Sequence, residues 1–341
     1  MDYFTFIHSD RPQVPANAPT IATLFSGGGI LDIGAEYAGF RSIWGVENDP
    51  AITASAYSVN IPNSKIICDL VENVDYSKLE KPDILHASPV CKNYSQANLK
   101  TESKQDIKTA IGVCKAIDTL RPKVFTLENV IGYRHSDSYL KIVNQLEAKG
   151  YVISERLVNL ADYGIPQARK RFIVTAVHLN LYDRFGSFTP IYTVTDWLSW
   201  YQAIADLIPE FEESELTNTQ KQKLREQDLI YSYHNGWILL KRNQIRDNTP
   251  CSKLHSPAWT VTAGLATDGK GGNRKYFADI YNHFNGDCKT LTTRALARLQ
   301  SIPDWYELPR KNGLAGTIIG NGVPSYFTYQ FYSQVKDRYF V

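Results

Sequence analysis

The sequence predicts an α/β fold: an open, largely parallel sheet with helices on both faces, joined to a smaller second domain. Three observations predict it. Apolar runs of strand length alternate with amphipathic helical stretches through the first half of the chain, as in repeated βαβ units. The run Thr20-Ile21-Ala22-Thr23-Leu24-Phe25 ends in Ser26-Gly27-Gly28-Gly29 and leads into a helical pattern, which is half of a nucleotide-binding unit. A length of 341 residues is long for one compact core, so one large domain plus a smaller one is expected.

Composition narrows the class. Apolar residues at 43% and charged residues at 21% describe an ordinary globular chain. A formal charge of +2 permits a nucleic-acid partner without requiring one, because binding needs a local basic surface rather than a global excess. No run of about eighteen apolar residues is present to span a bilayer. The segment before Thr20 lacks a basic start followed by an apolar core, so no signal peptide is expected. The five cysteines (Cys68, Cys91, Cys114, Cys251, Cys288) are odd in number and scattered, with no C-x-x-C pair. Neither a disulfide framework nor a zinc site is indicated, and a cytoplasmic setting fits.

The elements follow in order. After Pro12, Pro15 and Pro19, the run Thr20–Phe25 reads as a buried strand, and Ile30, Ile33 and Tyr37 share one side of the next helix, which Gly39 is placed to cap. A dinucleotide fingerprint needs glycines at its first, third and sixth positions. Counting from Gly27 the sixth is Asp32, so a cofactor without a pyrophosphate, approached by backbone at Gly27 and Gly29, fits better. The strand Arg41–Val46 ends in Glu47-Asn48-Asp49, about twenty residues after the glycines, the spacing at which a carboxylate accepts both ribose hydroxyls. Glu47 takes that role. A helix from Ala51 to Val59 leads to a strand over Lys65–Leu70, where Asp69 is placed for an adenine amino group, with a solvated turn aspartate as the alternative, and Leu70 for a base face.

The short strand Asp83-Ile84-Leu85-His86-Ala87 breaks at Ser88-Pro89, and Cys91 follows just past its end. In open α/β sheets catalytic groups collect there. Pro89 stiffens the turn. A free Cys is more often a small buried hydrophobe, so the neighbours of Cys91 must set it apart. Asn93–Ser103 reads as a loop. Ile107, Ala110, Ile111, Cys114 and Ile117 then mark a helix closed by Arg121-Pro122, with Cys114 as a core residue. The fifth strand, Val124–Val130, carries Glu128 where another apolar residue belongs. Partly desolvated, such a carboxyl is suited to hold a proton, and a salt-bridged structural glutamate is the alternative. A helix near Ser138–Lys149 and a strand near Val152–Leu160 precede Gln167-Ala168-Arg169-Lys170-Arg171, which runs into the strand Phe172–Val177. Alternation puts Arg169 and Arg171 on one side, as a solvated edge or gathered at a carbonyl-bearing substrate.

The region from Leu179 to Cys288 is less regular. Helices are expected over Asp196–Ile208 and Asn218–Tyr231, the latter with Thr217 and Gln220 in capping-box spacing, and Glu210, Glu212, Glu213 and Glu215 read as a solvated connector. Trp259–Thr262 reads as a strand. The loop Gly264–Lys275 combines glycines, which let backbone approach phosphates, with Lys270, Arg274 and Lys275, which neutralise them, and a disordered surface loop is the alternative. Ala295, Leu299 and Ile302 form the inner stripe of a helix over Thr292–Ser301.

Seven motifs in order then resemble the cytosine-C5 DNA methyltransferase family: FSGGG (Phe25–Gly29), EN (Glu47-Asn48), SPVC (Ser88–Cys91), ENV (Glu128–Val130), QARKR (Gln167–Arg171), RALARLQSIPDW (Arg294–Trp305) and GNGVP (Gly320–Pro324). They cover nearly the whole chain apart from the region between Val177 and Leu291. The resemblance implies a Rossmann-like methyltransferase sheet plus a target-recognition domain. Residues 1–178 would be catalytic, 179–315 target-recognising, and 316–341 a segment returning to the catalytic domain. It implies S-adenosyl-L-methionine as cofactor, held by Phe25, Gly27, Gly29, Glu47, Asn48, Asp69, Leu70, Val90, Asn321 and Val323. It implies Cys91 as nucleophile, with Glu128, Arg169 and Arg171 around a flipped-out cytosine, and no metal. Double-stranded DNA is the implied partner, contacted through Ser95, Thr260, Lys270, Arg274 and Lys275. A monomeric, cytoplasmic, nucleoid-associated protein of prokaryotic or phage origin is expected, with a cognate restriction endonuclease as a candidate partner. The chain departs from the family at Val90 and Lys92, where Pro and Gln usually flank the Cys. Two alternatives are an RNA cytosine-C5 methyltransferase acting on transfer RNA and a catalytically silent DNA-binding homologue.

Overall fold

The apolar runs assemble into one seven-stranded sheet in a computed structural model that describes residues 1–89, 102–188, 190, 196–226, 234–241, 253–263 and 278–340. The strands are β1 (Thr20–Leu24), β2 (Arg41–Glu47), β3 (Lys65–Cys68), β4 (Ile84–Ala87), β5 (Val124–Asn129) and β6 (Tyr151–Asn159), followed by the two-residue β7 (Gln167–Ala168) outside the sheet and by β8 (Lys170–His178) within it. The sheet order is β3-β2-β1-β4-β5-β8-β6. β1 to β5 pair in parallel, and β8 runs antiparallel to both β5 and β6. Every residue of β1, β4 and β5 is buried, as expected of strands covered on both faces. The order reverses between β1 and β4, so the loops after these strands part at one rim.

Local sequence explains the helices. Ile30–Tyr37 starts from Gly29 in a left-handed conformation and ends ahead of Gly39, also left-handed, whose N–H donates to the Glu36 carbonyl. Lys104–Leu120 opens with a reciprocal Ser103/Asp106 capping box, and Asp137–Ala148 opens with a Ser136 cap. The helix expected over Ala51–Val59 is instead three pieces, Pro50–Ile52, a π-turn Thr53–Tyr57 and Ser58–Asn60. There the Ser58 hydroxyl donates to the Thr53 carbonyl and the Asn60 amide to the Ala56 carbonyl.

Two compact units are distinguished. The sheet unit comprises Arg11–Asn159, Lys170–Tyr192 and Phe327–Val341; the second comprises Met1–Asp10, Leu160–Arg169 and Thr193–Tyr326. In the second unit β9 (Glu212–Glu213), β10 (Trp237–Lys241), β11 (Ala258–Trp259), β12 (Ala278–Asn282) and β13 (Cys288–Thr290) appear. Four of them form an antiparallel sheet in the order β10-β12-β13-β9, while β11 pairs in parallel with β7. Glu212 and Glu213, read as connector, therefore form an exposed edge strand, where charged side chains suit an unpaired border. The helix expected over Asp196–Ile208 shortens to Trp200–Ile204 and continues as a 3-10 segment, Ala205–Glu210, that contains Pro209. Asn218–Arg225 carries the expected Thr217/Gln220 capping box, and the strand expected over Trp259–Thr262 is confined to Ala258–Trp259.

A buried polar hub holds the second unit together. Gln167 donates to the Leu299 carbonyl and accepts from the Val261 N–H, and Gln300 donates to the carbonyls of Ile319 and Gly322. The backbones meet so closely that a Cβ on Gly320 would lie 2.1 Å from the Ala263 nitrogen. Gly320→Ala is expected to destabilise the protein by about 2 kcal/mol or more, despite the gain in helix propensity. A lowered urea midpoint checks this.

Candidate active site

The ends of β1, β2, β3, β4 and β5 bring the sheet unit's candidate residues to one rim, because parallel strands end on the same side. After β1 the chain turns sharply. Phe25 adopts φ +62°, costly for a bulky residue, and Gly27 and Gly29 follow at φ +53° and +78°. A Cβ on Gly27 would meet nothing within 4 Å, so the turn is open above that glycine. Glu47 links two loops, its Oε2 accepting from the Gly27 N–H at 3.0 Å and its Oε1 from the Asp49 N–H at 3.0 Å. Each carboxylate oxygen retains a second lone pair for a donor such as a hydroxyl. Asn48 is exposed beside it. Asp69 and Leu70 are exposed after β3, where Asp69 Oδ1 accepts from the Leu70 N–H and the Asn73 amide. A carboxylate for ribose, a second carboxylate for an amino group, an exposed leucine and an open glycine turn make a donor set that fits an adenosine-bearing cofactor.

Beneath the turn lies Asp32, fully buried, which accepts from Thr23 Oγ1 at 3.1 Å and Tyr57 OH at 3.2 Å, while Thr23 Oγ1 stands 2.8 Å from Ser26 Oγ. Burial pushes its carboxyl up to about 7, against hydrogen bonds from Thr23 and Tyr57. Glu36, one turn on, is also raised to about 7, by burial and then by the Asp32 charge.

At the β5 end Glu128 is 7% exposed. The β5–β8 register sets Glu128 opposite Ile173, so Arg171, two residues earlier on β8, lies diagonally on the same face. Arg171 Nε stands 2.7 Å from Glu128 Oε1, and its Nη1 donates to the Lys170 carbonyl. Among the described residues Oε1 has this charge contact but accepts no hydrogen bond of good geometry. Ser88 Oγ donates to Oε2 at 3.5 Å, the long limit of such a bond. Next to Glu128, Asn129 donates to the Pro89 carbonyl at 3.0 Å and thereby ties β5 to the segment leading toward position 91. Cys91 and Val90, with Ser95, Lys270, Arg274 and Lys275, lie outside the described residues.

The remaining expected site residues belong to the second unit. Arg169 does not share a strand face with Arg171, because the strand is interrupted at residue 169 and alternation does not carry across the break. Its buried guanidinium donates to the carbonyls of Val261, Gly320 and Gly322. Thr260 donates to the Ala168 carbonyl, Val323 is buried, and Asn321 is exposed at the end of the helix Asn312–Asn321.

A sequence profile described as "C-5 cytosine-specific DNA methylase" matches residues 20–336. The chain belongs to this family. Relatives of this methylase include the type II methyltransferase M.PspPI of Psychrobacter sp. (strain TA137), 27% identical, covering 91% of this chain and 77% of that one. M.FnuDI of Fusobacterium nucleatum is 26% identical, with 93% and 94% covered. A crystal structure of a Spodoptera frugiperda DNMT2 mutant superposes with a TM-score of 0.63 at 16% identity, covering 95% of this chain and 100% of that one, which establishes the shared fold. Among the described residues no group of His, Cys, Asp or Glu is arranged to hold a metal, and no helix is long and apolar enough to cross a membrane.

The sequence assigned no site role to His86, Ser88, Thr126 or Asn129, although Ser88 and Asn129 lie within the SPVC and ENV motifs. The signal for His86 was available: a histidine in an otherwise apolar strand of four buried residues.

A carboxyl raised by burial contributes stability at low pH that is lost as the pH climbs toward its folded value. Stability should therefore fall between about pH 4 and pH 7, and Asp32→Asn should flatten that segment by on the order of 3 kcal/mol. Urea midpoints of both proteins at pH 5 and pH 8 check this.

Proposed function

We propose that this methylase transfers a methyl group from S-adenosyl-L-methionine to C5 of a flipped-out cytosine in a specific DNA sequence, through a covalent adduct with Cys91. The observation that carries the reading is the pairing of a buried Glu128 with Arg171 at the rim that also bears the open glycine turn. When bound, S-adenosyl-L-methionine supplies an electrophilic methyl group, and Gly27, Glu47, Asp69 and Leu70 are the residues of the sheet unit that would hold it.

Cytosine C5 is a poor nucleophile until C6 is attacked. The thiolate of Cys91 adds to C6, and Glu128, which takes up a proton from water as the base enters, passes it to N3 for the electron density that develops. Loss of the C5 proton after methylation and elimination of the thiol restore the aromatic base and free Cys91. Arg171 keeps the carboxyl in place and offers donors for the base carbonyl. Because C6 is hidden in the stack, the base leaves the duplex at a cost of a few kcal/mol, recovered from pocket contacts.

Residues 1–178 and 316–341 are assigned to catalysis and cofactor binding. Residues 179–315 are assigned to target recognition, with Thr260, Lys270, Arg274 and Lys275 as DNA contacts and Ser95 beside the nucleophile. The type II relatives support a role in restriction-modification inside a prokaryotic cell, with a cognate endonuclease as partner.

Incubation with S-adenosyl-L-methionine and DNA of mixed sequence is expected to yield 5-methylcytosine by mass spectrometry, with transfer RNA unmodified. Product on transfer RNA alone would select the RNA reading. Cys91→Ser should abolish the covalent adduct with 5-fluorocytosine DNA, and Glu128→Gln should slow turnover roughly 10²- to 10⁴-fold.

A further inference from the structure

One face of the sheet carries a row of polar side chains that the strand alternation alone would make apolar. The registers align Thr23 of β1, His86 of β4, Thr126 of β5, Thr175 of β8 and Ser154 of β6 as successive neighbours. Side chains two residues apart share a face, so the turn residue Ser88 follows His86 on this side, as Glu128 follows Thr126.

The bonds run in one line. His86 Nδ1 stands 2.8 Å from Thr126 Oγ1 and 3.2 Å from Tyr332 OH, and Thr126 Oγ1 stands 2.9 Å from Tyr332 OH. His86 Nε2 stands 2.9 Å from Ser88 Oγ, which reaches Glu128 Oε2. Burial lowers the imidazole of His86 to about 3, so it is neutral, with one N–H and one lone pair. Serine has a single hydroxyl proton. For Ser88 to donate that proton to Glu128, its oxygen must accept from His86, which places the imidazole proton on Nε2. Nδ1 then accepts from one of Thr126 and Tyr332, and the other hydroxyl donates to that one, so two of these three close contacts are hydrogen bonds and the third is a contact without a proton.

We propose that Ser88 is a positioning residue for Glu128, oriented in turn by neutral His86, so that Ser88 on Oε2 and Arg171 on Oε1 fix the rotation of the carboxyl group that meets the cytosine. The proposal rests on the reading of Glu128 as the group that protonates the base. Bonds to catalytic groups tighten in the substrate complex, so the 3.5 Å bond from Ser88 to Glu128 is expected to be shorter there. Among the described residues the groups facing Glu128 are Arg171 from β8, Ser88 from the turn after β4 and, through Ser88, His86. Tyr332 closes the line from the C-terminal helix Ser325–Tyr339.

The test uses the full chain. In ¹⁵N-labelled protein, with the His86 ring signals identified by their loss in His86→Gln, the Nε2–H tautomer is expected at pH 7. The Nδ1–H tautomer would direct the Ser88 proton to His86 and overturn the proposal. Ser88→Ala should lower kcat roughly tenfold, with KM for DNA and for S-adenosyl-L-methionine within about twofold of the parent, and Ser88→Thr should restore most of the rate. An unchanged kcat in Ser88→Ala, or a loss accompanied by an equal rise in KM and a lower unfolding midpoint, would also overturn it. If Glu128→Gln kept full turnover, the reading of Glu128 would fail, whereas the tautomer measurement would still report on the Ser88 bond.

Discussion

The ion pair between Glu128 and Arg171 is the contact on which the candidate site depends. A carboxylate in a strand buried on both faces is tolerable only with a partner, and removing one member of such a pair costs about 3–5 kcal/mol. Topology supplies the partner. Because β8 runs against β5, its first residues lie where the parallel strands end, so Arg171 at the start of one strand meets Glu128 at the end of the other. A parallel strand in that place would carry its first residues to the opposite rim.

The same geometry explains why the polar row across the sheet is neutral apart from its end. Thr23, His86, Thr126 and Thr175 are buried, and burial disfavours the charged form of the imidazole. A neutral histidine between hydroxyls can be fully hydrogen-bonded without introducing charge beside a core of Leu85, Phe125 and Val174. At the rim end of the row Glu128 and Arg171 compensate each other. Asp32 is the contrasting case. It sits under the glycine turn with hydroxyl partners, and burial raises it to about 7, so that it gains its proton already below neutral pH instead of below about pH 4.

The motif Gln167–Arg171 does two jobs within five residues. Gln167 and Arg169 belong to the second unit, where they satisfy carbonyls of Val261, Leu299, Gly320 and Gly322, while Lys170 and Arg171 begin β8, the last strand of the sheet in chain order. Backbone carbonyls buried at such close approach need donors. An arginine and two glutamines meet that need where apolar side chains would leave them unsatisfied, and this accounts for Gln300 in the motif at Arg294–Trp305.

Much of the fold was legible in the chain itself. Short apolar runs placed all seven strands of the sheet, glycine and proline marked the turns after β1 and β4, and Thr217 announced its helix, because these signals act over a few residues; the Ser103 and Ser136 caps were read only from the structure. The rim residues Glu47, Asp69 and Glu128 were legible for the same reason: a polar residue at the end of an apolar run has a local cause. Strand register and strand direction are not local. They set Thr126 beside His86, turned β8 against β5 to bring Arg171 to Glu128, and broke the strand at residue 169 so that Arg169 turned to backbone carbonyls instead. The amino-acid pattern by itself determined where the strands and their polar ends would be. Only the tertiary structure decided which of those side chains touch, because a shift of one residue in register sends every side chain to the other face.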